Sequence, residues 1–564
     1  MNIQNLNSTN FQKSLLAQKS QNKNQTLPIK NAPKTSNNVS FGSGLGIATS
    51  QGLRSLATNM ALGAIVIDIL CMDLPRTAVD FTRSPSAGAE TAIREGAGTG
   101  NHAAIGAYGL GVAAVAAAGL NKMYGVKAND IFASNETIDT LGTVWGEEIA
   151  KKKASATDAT KVEKPLKEYL TRVLDDIQTF KPDAKKSDWV NIPKDAKNSI
   201  SEKLEAHITK MASKEGVTKD ETAKLESFIK STLGYSTGSD SLVRFKSAQT
   251  GFADAMGSGT FISNITKLTN TFMSDKVHKI FVESKEVGKN EFLNGLKNLN
   301  KKVSIGGIAL GSLIGMSIQP LNKYITKKRT GSDDFVGGGK ADKSFKFKLK
   351  KLALGTAFAL GAIATVTTHP SKLLSKIQFK GLAPTIDQFK VVYGLTIASR
   401  LFAARTDDEL RESTIKDTLG FANWLILGNV VSIGVAKGIE KLKGTNFLKY
   451  HNSDKKSWLL HSDIMSRDEV LYDTLKKEGI NTIKSDGTAM SFKEMMNSLD
   501  SLKGKNAELA KSKLKWLNVI QMAGYLYSGV VLGWALPKLN IAIKNYKDKK
   551  RAEAESLKEQ GIQA

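Results

Sequence analysis

The sequence predicts an all-α, multi-pass helical integral membrane protein with five spans and up to seven, two extramembrane helical regions and an internal repeat. Three observations predict it: long uncharged apolar runs, charge gathered into blocks between them, and two pairs of segments that match at fixed spacing. The runs cover 103–121, 303–322, 352–371, 418–436 and 516–537. A helix rising 1.5 Å per residue needs about 20 residues to cross about 30 Å of hydrocarbon, and each run approaches or exceeds that length. Two weaker runs, 55–72 and 391–404, carry Asp68 and Arg400 inside them and make the difference between five spans and seven. A mean hydropathy of −0.22 suits a soluble protein, but it averages over the blocks. The runs are also rich in glycine, which costs an isolated soluble helix about 1 kcal/mol against alanine.

From the N-terminus, residues 1–54 read as a disordered basic tail, with no Asp or Glu before Asp68 and no apolar segment near Met1 that would make a signal peptide. Residues 55–126 form a membrane hairpin with a charged connecting loop, and 127–302 an extramembrane helical region. A membrane bundle follows at 303–437, a second extramembrane helical region at 438–515, a final span within 516–546 and a charged tail at 547–564. Apolar spacing in 200–213 and 219–232 is helical. Pro75, Pro320, Pro370 and Pro537 each close an apolar run, so helices are expected to end there. Tyr124, Tyr324 and Trp516 stand at span ends, where amphipathic rings favour the interface.

The formal net charge of +26 comes mostly from 68 Lys against 12 Arg. The lysines are not interleaved with aromatics, so nucleic acid is not an expected partner. The lipid bilayer is, with anionic head groups attracted to 340–351 and 544–551 beside the spans. One cysteine, Cys71, excludes an internal disulfide and a cysteine-based zinc cluster.

Arg83, Glu90, Thr91, Ile93, Arg94, Glu95 and Gly98 match Arg405, Glu412, Ser413, Ile415, Lys416, Asp417 and Gly420 without gaps, as R-x6-E-[ST]-x-I-[RK]-[DE]-x2-G, and each copy leads into a strong run. Gly306, Gly311, Gly315, Leu321 and Asn322 match Gly524, Gly529, Gly533, Leu539 and Asn540 at identical spacing. Both pairs occur in the same order along the chain, which points to duplication. With seven crossings the halves are parallel, and 73–102, 323–351, 405–417 and 538–564 share one side, the cytoplasmic one by their Lys and Arg. If the weak runs do not cross, the repeat is inverted. The basic N-terminal tail argues against the first arrangement, and the sequence leaves the choice open.

Six of the 12 arginines, Arg76, Arg83, Arg94, Arg400, Arg405 and Arg411, fall in the motifs and their approaches. In a chain that otherwise uses Lys, this selects planar, bidentate pairing with carboxylates or phosphates. Carboxylates are at hand in Asp73, Asp80, Glu90 and Glu95, and in Asp408, Glu409, Glu412 and Asp417. The cluster reads either as ion pairs pinning two halves together or as an anion-contact site between them. Asp68 and Arg400 occupy the two weak runs and are expected to face each other or a polar cavity, since an intramembrane charge takes a partner. Gly307, Gly311 and Gly315, with Gly529 and Gly533, form small-residue faces for close helix packing, and Gly434 with Gly438 a third.

Catalytic, cofactor and metal motifs fail on inspection, so no catalytic, cofactor-binding or metal-ligating residue is expected. The stretch from Val336 to Lys340 has Ala341 and Asp334 where a phosphate loop needs Ser/Thr and Gly. The glycine run from Gly96 to Gly100 leads into an apolar run, and Asp486–Gly487 lacks the earlier calcium ligands, with Thr482 and Lys484 in their places. The six histidines are dispersed, and the stretch from Gly257 to Thr260 has no nearby histidine.

Pro75-Arg76-Thr77, the paired R-x6-E motifs and the exit from Leu539 to Ile543 resemble an uncharacterised family of multi-pass bacterial membrane proteins, over the membrane segments alone. The resemblance implies class and compartment, a multi-pass protein of the bacterial inner membrane, and no substrate. The function expected is a non-enzymatic structural or interaction protein anchored in the membrane, meeting protein partners through 127–302 and 438–515. The alternative is a transporter or channel with an arginine- and carboxylate-lined site between two repeats.

Overall fold

The computed structural model describes residues 44–58, 60–158, 161–180, 190–234, 242–247, 256–286, 290–331, 341–450, 462–482 and 490–559. Most of the N-terminal tail, the stretch from Val336 to Lys340 and Asp486–Gly487 lie outside them. The described chain is predominantly α-helical. Helix α1 (Gly44–Thr58) already occupies the last residues assigned to the tail, and α2 (Met60–Ile67), a π-turn at Asp68–Asp73 and α3 (Leu74–Phe81) follow. The first charged motif forms α4 (Pro85–Ala103), continued by α5 (Ile105–Ala116) and α6 (Ala118–Tyr124).

A globular region follows: α7 (Asn135–Ser155), α8 (Leu166–Asp176), α9 (Lys194–Ala212), α10 (Lys219–Gly234), α11 (Ser258–Phe272) and α12 (Asp275–Glu283). It is not purely helical, because β1 (Ile177–Phe180), β2 (Val190–Asn191), β3 (Leu242–Phe245) and β4 (Met256–Gly257) make an antiparallel sheet in the order β2-β1-β3-β4. Its register pairs Ile177 with Phe245 and Thr179 with Val243. Trp145, Tyr169 and Phe272 fill the core, the first two edge-to-face at 5.0 Å.

Next come α13 (Glu291–Thr330), α14 (Phe345–Ala364), α15 (Pro370–Lys376), α16 (Ile386–Ala403), the second motif helix α17 (Asp407–Ala422), a π-turn at Asn423–Leu427 and α18 (Gly428–Lys443). A second globular region holds a hairpin, β5 (Leu448–Tyr450) with β6 (Ser462–Ile464), and helices α19 (Arg467–Lys477) and α20 (Phe492–Ser501). Helix α21 (Lys505–Ser528), a π-turn at Gly529–Ala535 and α22 (Leu536–Glu559) close the chain.

Among the described residues, two helices are long and apolar enough to cross a membrane: Glu291–Thr330 and the continuous stretch Lys505–Ser556. Ile105–Ala116 is apolar but shorter. The run 352–371 is not one helix, since α14 stops at Ala364 and α15 begins at Pro370.

The expectation that prolines end the helices is corrected at three of four positions. Helix α13 passes through Pro320, which cannot donate to the carbonyl of Met316. Ser399 Oγ from α16 donates to that carbonyl instead, at 2.6 Å. Pro75 and Pro537 stand directly after π-turns, inside continuous helical backbone. The π register leaves Leu532 O without a donor from Pro537, and Arg76 Nε donates to it at 3.2 Å. Pro320 and Pro537 therefore each open an acceptor that a neighbouring helix uses. Pro370, by contrast, begins α15 at its first turn.

Glycines set how closely the helices approach. A Cβ on Gly315 would lie 2.2 Å from Thr396 Oγ1, and one on Gly311 would lie 3.3 Å from Tyr108. Gly307 and Gly109 together form a slot for the Phe379 ring, whose backbone N–H donates to Ser304 Oγ at 3.1 Å. Gly533 lies against Pro75 and the Cys71 carbonyl, whereas the nearest atoms to a Cβ on Gly529 are those of Cys71, at 3.9 Å. Gly434 and Gly438 have nothing within 4 Å, so the third glycine face is not a packing face among the described residues.

Candidate functional site

Both motif helices begin in the same way. Ser84 caps α4 by accepting from Ala87 N at 3.0 Å, and Thr406 caps α17 by accepting from Glu409 N at 3.0 Å. Arg83 and Arg405 are thus the residues just before each cap, and their side chains reach sideways from the helix starts. Glu90 and Glu412 then fall at the same position along their helices, as do Glu95 and Asp417 one and a half turns later.

The two motifs meet, and they meet reciprocally. Arg405 Nη2 donates to Glu90 Oε1 at 2.5 Å, while Arg83 Nη1 donates to Glu412 Oε1 at 3.3 Å. Arg405 is also held by Glu409, through Nε at 3.1 Å and Nη2 at 3.1 Å, and Arg83 by Asp80 at 3.2 Å. The glycine that ends each motif packs on an arginine that precedes the other motif. A Cβ on Gly98 would lie 3.2 Å from Arg400 Nη2, and one on Gly420 would lie 3.4 Å from Arg76 Nη2.

Glu95 is the hub. Its carboxylate receives Arg400 Nη2 at 3.0 Å and Arg94 Nη2 at 3.1 Å, with Lys416 Nζ at 3.6 Å and Arg76 Nη1 at 3.9 Å. Arg400 Nη1 turns to Asp417 at 3.2 Å. Glu95 is 3% exposed and Arg76 1%. One carboxylate among four buried cations is strongly favoured as an anion, and removing it would leave those cations facing one another.

Neutral side chains complete the network. Thr91 Oγ1 donates to Asp80 at 2.6 Å, and Thr99 Oγ1 to Asp73 at 2.8 Å. Thr326 Oγ1 reaches Glu90 Oε2 at 3.2 Å, and Asn322 Nδ2 donates to the Glu90 carbonyl at 3.1 Å, tying α13 to α4. Asn101 and Asn423, three residues beyond the motif glycines, play matching parts: Asn101 Nδ2 donates to Gly311 O, Asn423 Nδ2 to Ser528 Oγ, both at 2.9 Å.

Of the residues singled out from sequence, Arg76, Asp80, Arg83, Glu90, Arg94, Glu95, Arg400, Arg405, Glu412 and Asp417 are brought together. Arg411 stands on the rim with Asp408 at 3.3 Å, beside Arg551 from the C-terminal helix. Asp68 and Arg400, expected to face each other or a polar cavity, form no ion pair: Arg400 pairs with Glu95 and Asp417, and Asp68 lies about two turns before Arg76, inside the π-turn. Sequence reasoning had not singled out Lys416 as a member, although the motif held its position. Nor did it find Thr326 or Asn101, because a hydroxyl or amide in a helix carries no charge signal. Thr91 and Asn322 had a signal of another kind, as matched positions of the two repeated segments.

Among the described residues, no group of three or more His, Cys, Asp and Glu has the disposition of a metal site. No family model, curated protein or solved structure matches the chain.

Proposed function

We propose that the chain is a multi-pass protein of the bacterial inner membrane, of the kind its motifs resemble, and that it acts without catalysis as a structural or interaction protein. In this reading two duplicated halves are clasped by the arginine–carboxylate network at the cytoplasmic face, and the two globular regions meet protein partners at the other. The observation that carries it is the reciprocal exchange of Arg83–Glu412 and Arg405–Glu90.

Surface chemistry supports the membrane reading. A core helix of a soluble protein is mostly buried, yet the apolar windows of the two long helices are 44% and 33% buried. Leu313 and Leu321 on α13, Leu352 and Leu360 on α14, Val115 on α5 and Leu526 on α21 are all exposed. Apolar faces on so many helices suit hydrocarbon better than water.

The seven-span count gains support from how the weak runs begin and end. Helix α1, just before the first, is tied to the second globular region, where Arg54 Nε donates to both oxygens of Asp468 at 2.7 and 2.8 Å. The segment before the second is tied to the first region, where Gln378 Oε1 accepts from Asn135 N at 3.1 Å. Both runs then end in the network. Each runs between the two ends of the bundle, which favours the parallel repeat. The lysines of α14 and α22 lie at the network end and favour anionic head groups.

The transporter reading has less support, because the motif arginines are already engaged by carboxylates rather than lining an open path. Single cysteines at Thr330, Lys549, Glu215 and Glu478 in a Cys71→Ser background test the proposal. An impermeant thiol reagent should label the first two from the cytoplasmic side and the other two from the opposite side. Labelling of all four from one side would sink it.

A further inference from the structure

A second feature touches the network only at Asn423 and Ser528 and holds none of its charged groups. Between α2, α18, α21 and the second globular region lies a cavity of about 450 Å³. Leu517, Gln521, Gly524, Tyr525 and Ser528 line it from one face of α21, so it extends about 16 Å along that helix at 1.5 Å per residue. Leu56, Ile67, Ile386 and Met465 make much of the rest apolar.

The polar groups are unevenly placed. At the Leu517 end stands Arg467, 6% exposed, the first residue of α19 after its cap Ser466. Its Nε donates to Asn518 Oδ1 at 2.8 Å and its Nη2 to Leu517 O at 3.2 Å, both neutral acceptors. The nearby carboxylates are committed elsewhere, Asp468 to Arg54 and Glu469 to Lys449. Burial pushes the Arg467 guanidinium down to about 10, which leaves it charged at neutral pH. The N-terminus of α19 adds partial positive charge at the same end. Gln521 Oε1 and Asn423 Oδ1 are buried without a hydrogen-bond partner on the wall. A buried cation whose hydrogen-bond partners are all neutral, and which shares the nearby Asp468 carboxylate with Arg54, stands short of negative charge at the head of an elongated and largely apolar slot.

We propose that this cavity is a binding site for a single-chain anionic amphiphile, with a carboxylate or phosphate head on Arg467 and its chain along α21. The head supplies the missing negative charge, and the chain fills the slot beside Ile67 and Ile386. The site stands apart from the proposed function: it needs neither the repeat nor the topology.

The test is equilibrium binding of radiolabelled dodecanoate to the full chain in zwitterionic lipid nanodiscs. Wild type should bind dodecanoate saturably and dodecanol at least tenfold more weakly. Arg467→Gln should weaken dodecanoate at least tenfold, Arg467→Lys should restore most of the binding, and Ile386→Trp should block it by filling the slot. Competition by dodecyl phosphate against dodecanoate tells a phosphate head from a carboxylate head. If Arg467→Gln does not fold, Ile386→Trp still decides. Equal binding of dodecanoate and dodecanol overturns the proposal, as does wild-type affinity in Ile386→Trp or displacement by inorganic phosphate alone.

Discussion

Arg405 and Glu90 are 315 residues apart in sequence and 2.5 Å apart in space, joined by a buried charge-assisted hydrogen bond. Its counterpart, Arg83 with Glu412, uses the same two motif positions with the motifs exchanged. Four residues at two equivalent positions therefore close two bonds, and both helices must be in register for either to form.

Removing one partner should expose that dependence. Arg405→Met leaves Glu90 and Glu409 buried without their cation and is expected to cost about 3–5 kcal/mol. Arg405→Met with Glu90→Met should cost less than the two single changes summed, by about 0.5–3 kcal/mol. Thermal unfolding of the purified chain in detergent checks this, and strict additivity would mean the pair is not coupled.

Glu95→Gln should be more damaging than Glu412→Gln. The first leaves Arg76, Arg94, Arg400 and Lys416 facing one another, while the second releases Arg83, which keeps Asp80. We expect a loss of about 3–5 kcal/mol for Glu95→Gln and a smaller one for Glu412→Gln. Equal midpoints for the two variants would contradict the hub.

Ser399→Ala removes the donor to the Met316 carbonyl and should cost about 1–3 kcal/mol. In a Pro320→Ala background the same substitution should cost much less, because the restored backbone N–H serves that carbonyl. A cycle of the four proteins measures the difference. An unchanged cost in both backgrounds rules out the proline-opened acceptor.

Gly315→Ala places a methyl group 2.2 Å from Thr396 Oγ1 and should destabilise by about 1–3 kcal/mol. Thr396→Ala removes the obstructing oxygen, so the double variant should regain most of the loss. If Gly315→Ala is as stable as wild type, α13 and α16 are not packed so closely.

Burial holds His278 below its ordinary value, as does Lys164, while its bond to the Val162 carbonyl and the nearby Asp275 act the other way. Its neutral form is therefore favoured in the fold. That stability is fully present above the unfolded histidine value of about 6.5 and is lost as pH falls through it toward the lower folded value. Wild type should lose more stability between pH 7 and pH 5 than His278→Gln does, in matched denaturation curves. Parallel losses would show that His278 does not contribute.

The residues themselves determined the apolar runs, the charged blocks and the two motifs. Apolar length and charge spacing act locally, so the apolar runs inside α13 and inside the stretch from α21 to α22 could be placed from the chain alone, though not the ends of those helices. The matched spacing of the two motifs fixed that Glu90 and Glu412, and Glu95 and Asp417, take equivalent positions on their helices, since 3.6 residues per turn governs position wherever a helix lies. Which carboxylate each arginine meets was left to the tertiary structure. Arg400 and Asp68 were expected from their positions to face each other or a polar cavity, yet Arg400 pairs with Glu95 and Asp417, because helix depth and crossing decide distance and neither is written in one segment. The prolines went the same way: Pro320 stops a helix in isolation, but Ser399 supplies the missing hydrogen bond to Met316 O from 83 residues away. The slot at Arg467 was invisible for the same reason, since a cavity is the space that several helices leave between them.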